Sequence, residues 1–174
     1  TKVLPSSTAV GTAREHARFR MQPPPVVAET GWSPLSPITA KSGRSWVHGQ
    51  EGDLRMRVAY FRRDNDDALV GRVWFGPWCE GPPGHAHGGS MASVLDDAIG
   101  KVGWLNGHRV LAAKIEVSFR RMLPLGSDVL IEAFIDRVEG RKVHTRGHLL
   151  AADGAPYAEA QGLFIELGAE GIGV

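Results

Sequence analysis

One cysteine, Cys79, in 174 residues leaves no intrachain disulfide and no cysteine-rich zinc site. No activating base stands near Cys79 in the sequence, so it is a poor candidate nucleophile. No apolar run approaches the roughly eighteen residues of a membrane span, so no membrane span is expected. The formal net charge is only +1, which excludes a global basic field able to recruit nucleic acid or anionic lipid. Short clusters such as Arg120-Arg121 and Arg141-Lys142 remain able to hold phosphates locally. There is no internal repeat and no low-complexity tract beyond a proline cluster. Ordinary hydrophobic (43%) and charged (22%) fractions then describe one soluble globular domain plus an extension, and the lone cysteine fits a reducing, cytoplasmic setting.

Residues 1–45 differ in composition from the rest. They hold Pro23, Pro24, Pro25, Pro34 and Pro37, many small polar residues, and one possible short helix around Ala13 to Met21. Arg14, Arg18 and Arg20 with only Glu15 give the start some transit-peptide character. We expect an extension packed on the domain or on a partner subunit, and a domain over 46–174. From Leu54 onward the runs LRMRVAYFRR and ALVGRVWFG flank the polar turn DNDD and predict a β-hairpin. Four more strand-like runs follow, VLAAKIEVSFRRM, DVLIEAFIDRV, KVHTRGHLLA and YAEAQGLFIEL, with connections short enough for an antiparallel meander. In the first of these, Ala113, Ile115, Val117 and Phe119 alternate with Lys114, Glu116 and Ser118, which predicts one buried face.

The cover for that face is a helix over 89–104, where Met91, Val94, Leu95, Ala98, Ile99 and Val102 recur at three and four residues. The expected fold is α+β: an antiparallel sheet of five or six strands around one central α-helix. Asp96 and Asp97 are separated by about 100° on that helix, so they cannot share a role. Asp97 shares the polar stripe of Ser93 and Lys101 and is expected on a solvated face. Asp96 falls with Ala92, Gly100 and Gly103, a stripe that lets a ligand or a backbone approach, and is expected to be partly buried and short of partners. The helix must open near Gly88 to Ser90, where its first N–H groups lack acceptors and where the Gly88 or Gly89 amide can meet a developing oxyanion.

The stretch GPPGHAHGGSMASVLDDAIG (residues 81–100) resembles the signature of the hotdog-fold acyl-CoA thioesterases, in which His-Gly-Gly opens the central helix and an Asp follows nine residues after the His. The likeness continues through AAKIEVSFRRMLPLG, VEGRK and EAQGLFIEL, spans roughly residues 46–167, and is nearest in character to the carboxy-terminal modulator protein type. It implies a homodimer, often paired into a tetramer, with an acyl-CoA substrate at the subunit interface and no cofactor. By the same resemblance the Gly88 amide polarises the thioester carbonyl, His87 shapes the turn, and Asp96 of the facing subunit acts as general base or nucleophile. Gly89 adjoins the substrate, and Arg120, Arg121, Arg141 and Lys142 are the candidates for the CoA phosphates. Two positions depart from the pattern: Ala112 stands where many relatives place Ser or Thr to hold the water, and Gly81 where some carry Asn. His85 has no counterpart that the resemblance assigns.

Other readings compete with this one. GGSMA nearly matches a nucleophile elbow, but an elbow needs a hydrophobic strand before its Ser, and residues 82–87 are turn material. His85, His87, Asp96 and Asp97 make a weak metal set, since the two Asp diverge and His-x-His supplies two ligands at most. A non-catalytic acyl-CoA binder or sensor on the same fold is the alternative that the loss at Ala112 favours. Trp74, Phe75, Trp78 and Trp104 are either core or the lining of an acyl tunnel.

Overall fold

The computed structural model describes residues 21–35, 45–48, 52 and 54–168. The short helix expected around Ala13 to Met21 lies outside them, apart from Met21 itself, which is irregular. The strands are β1 (Trp32–Pro34), β2 (Met56–Arg63), β3 (Leu69–Phe75), β4 (Val110–Phe119), β5 (Asp128–Glu139), β6 (Lys142–Leu150) and β7 (Pro156–Glu166). Among the described residues there is one α-helix, α1 (Gly88–Leu105), and it follows a 3₁₀ turn at Pro77–Cys79. All pairs are antiparallel, in the order β1-β2-β3-β5-β6-β7-β4.

The sheet has seven strands where five or six were expected, because Trp32–Pro34 of the proline-rich segment pairs with Phe61–Arg63 of β2. The expected hairpin forms between β2 and β3, closed where the Arg63 N–H donates to Ala68 O at 2.9 Å. β5, β6 and β7 form a meander, but β4 does not join it in sequence order. After α1 the chain runs to the far edge, where β4 pairs with β7, and then returns through residues 120–127 to place β5 beside β3. α1 crosses the sheet between β3 and β4 and carries the chain from one to the opposite edge.

The apolar stripe of α1 is buried as its spacing predicts: Met91, Val94, Leu95, Ala98, Ile99, Val102 and Gly103 all face the sheet. Close approach is possible because the strands beneath present glycine. A β-carbon at Gly147 would lie 2.6 Å from Ile99 Cγ2, and one at Gly162 would lie 2.9 Å from both Ile99 Cδ1 and Thr145 Oγ1. Trp74 and Phe75 are core residues, Trp104 is partly buried, and Trp78 is exposed.

β4 departs most from expectation. A bulge between Ala112 and Lys114 takes Ala113 out of the alternation, so Ala112, Ile115, Val117 and Phe119 oppose Phe164, Gly162, Ala160 and Ala158 on the helix-facing side. The described residues cover that side only in part: Ile115 remains 40% and Phe119 53% exposed. Leu111 and Met122 add to the exposed apolar margin. β4 is also an edge, with backbone groups on one side unpaired.

Gly162→Ala should destabilise the fold by about 1–3 kcal/mol, because the new methyl must displace Ile99 or Phe164 in a filled core. Urea unfolding against wild type measures it, and unchanged stability would show that α1 does not bear on β7 as described.

Candidate functional site

The site forms where α1 begins. Residues 80–87 fold back on themselves: Gly81 N–H donates to His85 O (3.0 Å), His85 N–H to Pro82 O (2.9 Å) and His87 N–H to Cys79 O (2.7 Å). The returning strand of chain crosses beneath, with the Ala86 N–H donating to Leu123 O (2.8 Å) and the Leu125 N–H to Gly84 O (3.0 Å). A β-carbon at Gly81 would lie 2.7 Å from His87 Cα, so this tight return has no room for the Asn that the resemblance suggests at that position.

His87 is the N-cap of α1, and its ring does the capping: Nδ1 accepts the Gly89 N–H at 2.9 Å. The Gly89 amide is therefore occupied, which removes one of the two expected donors. The Gly88 N–H donates to no described residue, and no acidic side chain sits in the first turn to compensate the positive end of the helix. A groove of about 310 Å3 opens at this amide, lined by His85, Gly88, Met91, Phe119, Arg120, Arg121 and Met122 among others. Phe119 is its apolar wall, since a β-carbon at Gly88 would touch Phe119 Cζ at 3.3 Å. The sequence presents Phe119 as one more alternating core residue, and only its exposure beside Gly88 marks it as lining.

The structure brings Arg120 and Arg121 to this groove. Arg120 Nε pairs with Glu159 at 2.7 Å, while Arg121 donates to Ala155 O (2.8 Å) and stacks on Tyr157 at 4.7 Å. Arg141 and Lys142 lie elsewhere. Lys142 opposes Ile165 and Arg141 donates to Glu166 O, both at the Val110 end of β4. The length of β4, about 30 Å at 3.3 Å per residue, separates them from Gly88 within one chain.

The two aspartates point to opposite flanks of α1, as the helix wheel requires, but their surroundings reverse the expectation. Asp97 is not on a solvated face: its side chain is 19% exposed and meets β2, accepting from Tyr60 Oη at 2.9 Å, pairing with Lys101, and lying 3.4 Å from His48 Nε2. Burial pushes its carboxyl up, but His48, Lys101 and Tyr60 more than offset this and hold it below the usual carboxylate range. Tyr60 is itself partly buried beside Asp97, and dehydration together with that charge drives its phenol well above its ordinary value. Asp96 is exposed rather than partly buried, and forms no hydrogen bond or ion pair with a described residue. Partial dehydration, and then the charge of Asp97, raise its carboxyl above the ordinary value.

Asp96 looks toward the open edge. On its stripe Gly100 abuts Phe164 of β7 and Gly103 abuts Val110 of β4. Yet it stands eight positions after Gly88, about 12 Å along the axis at 1.5 Å per residue. The free amide and the free carboxylate of one chain therefore cannot reach one carbonyl group together. Among the described residues no three His, Cys, Asp or Glu converge as a metal site, and no helix is long and apolar enough to cross a membrane.

The sequence matches the Thioesterase superfamily over residues 83–158, which takes in the turn before α1, α1 itself, β4, β5, β6 and the start of β7. It is 34% identical to the acyl-coenzyme A thioesterase THEM4 of Bos taurus over 126 residues, 72% of this chain and 52% of that protein. It is 37% identical to THEM4 of Xenopus laevis over 93 residues, 53% of this chain and 42% of that protein. The chain thus spans about half the length of these curated relatives. Among solved structures, a thioesterase superfamily protein aligns with a TM-score of 0.61 at 29% identity, over 63% of this chain and 54% of that one. A Streptococcus mutans protein bound to acetyl CoA aligns at 0.58 and 15% identity, over 66% of this chain and 90% of that one. Over residues 83–158 the chain carries a thioesterase-superfamily domain, set in the hotdog fold.

Asp97→Asn should lower stability at pH 7 by about 1–3 kcal/mol, since Lys101 loses its partly buried counter-charge. The folded carboxyl is held below its unfolded value near 3.9, so its contribution is present above that value and is lost as pH falls through the folded pKa. Urea melts should show the variant and wild type converging in acid, and a constant difference down to pH 2 would contradict the network. Asp96→Asn should not reduce stability at pH 7, because a raised carboxyl is a burden on the fold when ionised.

Proposed function

We propose that this protein hydrolyses acyl-CoA thioesters at the interface of a homodimer. The observation that carries the reading is the division of the site: among the described residues the Gly88 amide, in a groove, and Asp96, about 12 Å along the helix toward the same edge, both lack partners. Two copies joined along β4, related by a two-fold axis, would bring the Asp96 of one toward the Gly88 of the other. The exposed Ile115, Phe119 and Met122 and the unpaired β4 backbone supply the surface for that contact. Acyl-CoA as substrate is supported by the curated activity of the THEM4 relatives.

In this arrangement the Gly88 N–H, at the positive end of α1, polarises the thioester carbonyl and steadies the tetrahedral oxyanion. Asp96 of the second copy takes a proton from the attacking water, and its raised carboxyl suits it to that work. His87 holds the turn by capping Gly89. Arg120 and Arg121 flank the groove mouth for the CoA phosphates. The antiparallel β4 contact would bring Arg141 and Lys142 of the second copy to the same end. Residues 46–174 form the catalytic unit, with residues 32–34 of the preceding extension prolonging its sheet.

The competing reading, a binder without catalysis, is favoured by Ala112, which supplies no hydroxyl for the water. Thiol release from short, medium, long and aromatic acyl-CoAs separates the two. Wild type should turn over at least one ester, and Asp96→Asn should lose about 100-fold or more in kcat. Binding of acyl-CoA without thiol release would establish the binder instead. Ile115→Lys should yield a folded monomer by sedimentation, with hydrolysis lost. A monomer that remains active would refute the shared site.

A further inference from the structure

The groove at Gly88 holds one proton-exchanging side chain that nothing above has used. His85 lines it, and the loop pins this residue from both sides: its N–H donates to Pro82 O (2.9 Å), its carbonyl accepts from Gly81 (3.0 Å), and its backbone bridges to Pro124. The ring is fixed as well. Nδ1 lies 2.9 Å from Pro83 O, and a carbonyl oxygen can only accept, so Nδ1 carries a hydrogen and Nε2 is the nitrogen left for a ligand.

His87, two residues on, has the opposite arrangement, because its Nδ1 lone pair is spent on the Gly89 N–H. Drawing His87 Nδ1 into proton transfer would release the helix cap. The other described side chains of the groove are apolar or are arginines, which keep their protons. Only an imidazole among them is of a type that exchanges a proton between about pH 5 and 8.

Resting on the hydrolase reading, we infer that His85 is a catalytic residue: as an imidazolium, with its Nδ1–H held by Pro83 O, it donates from Nε2 the proton that the departing sulfur takes up. Water forms the new C–O bond and gives a proton to Asp96 of the second copy. The carbonyl electrons shift to the oxygen facing Gly88, then return as the C–S bond breaks. The C–S pair goes to sulfur, which takes the Nε2 proton and leaves as a thiol. The acid product releases its own proton to solvent, Asp96 sheds the one it holds, and His85 recovers one from solvent, so charge and protons balance. Without such a donor an alkyl thiolate is expelled beside the carbonyl it has just left, where it can attack again.

His85→Asn tests this, because the Asn amide can still donate to Pro83 O while Nε2 is deleted. The probes are two esters of one acyl group: the CoA ester, whose alkyl thiolate needs a proton, and the S-phenyl ester, whose more acidic thiol leaves without one. The variant should lose about 100-fold in kcat on the CoA ester while its kcat on the phenyl ester stays close to wild type. Equal loss on both esters, or no loss on the CoA ester, would overturn the role. Wild type inactive on both would overturn the hydrolase reading and this role with it, an outcome distinct from equal loss in the variant.

Discussion

Helix α1 can lie low on the sheet because the strands beneath it give up side chains at two points. At Gly147 and Gly162 an added β-carbon would stand 2.6 and 2.9 Å from Ile99, inside ordinary contact. Ile99, Leu95 and Val94 thereby reach full burial against β5, β6 and β7. A buried side chain of this size contributes about 1.5–3 kcal/mol relative to exposure. That seating fixes where the helix starts, which in turn fixes the groove. The two crossing hydrogen bonds, Ala86 to Leu123 and Leu125 to Gly84, hold the first turn against residues 120–127.

The same seating divides the polar residues of α1 between two environments. On the β2 flank, Asp97 is closed into a knot with Tyr60, Lys101 and His48, and Lys101 lies 5.5 Å from the centre of the Tyr60 ring. This knot ties the segment around His48 to the helix and leaves an ionised carboxylate next in sequence to Asp96. On the β4 flank no described residue closes over Asp96 or takes up its lone pairs. One residue of helical rotation separates a carboxylate paired with Tyr60 and Lys101 from one that meets no described partner. The charge of the first also helps to keep the second from ionising early.

Much of the fold was legible from residue order. The three- and four-residue recurrence of Met91, Val94, Leu95, Ala98, Ile99 and Val102 specified a helix one residue shorter at each end than the one observed. DNDD between two β-rich runs marked the hairpin, and the divergence of Asp96 from Asp97 follows from 3.6 residues per turn. Trp32–Pro34 gave little sign of being a strand, because three residues carry no periodicity and the proline argued against one. The bulge at Ala113 was equally hidden, since an alternating pattern reads the same with or without one extra residue in the ladder.

What the sequence by itself determined, then, is local: a helix with one apolar stripe, strands with their turns, a glycine-opened helix start, and two carboxylates that cannot act together. Each follows from backbone periodicity and from the chemistry of neighbours within a few positions. What only the tertiary structure decided is which of those faces is covered. Asp97 looked solvated until Tyr60, thirty-seven residues earlier, closed on it. The alternation of β4 looked like a core strand until its place at the sheet edge left Ile115 and Phe119 open. The Gly89 amide looked available until the His87 ring took it. Burial and hydrogen-bond occupancy depend on contacts between distant parts of the chain, and periodicity carries no information about those.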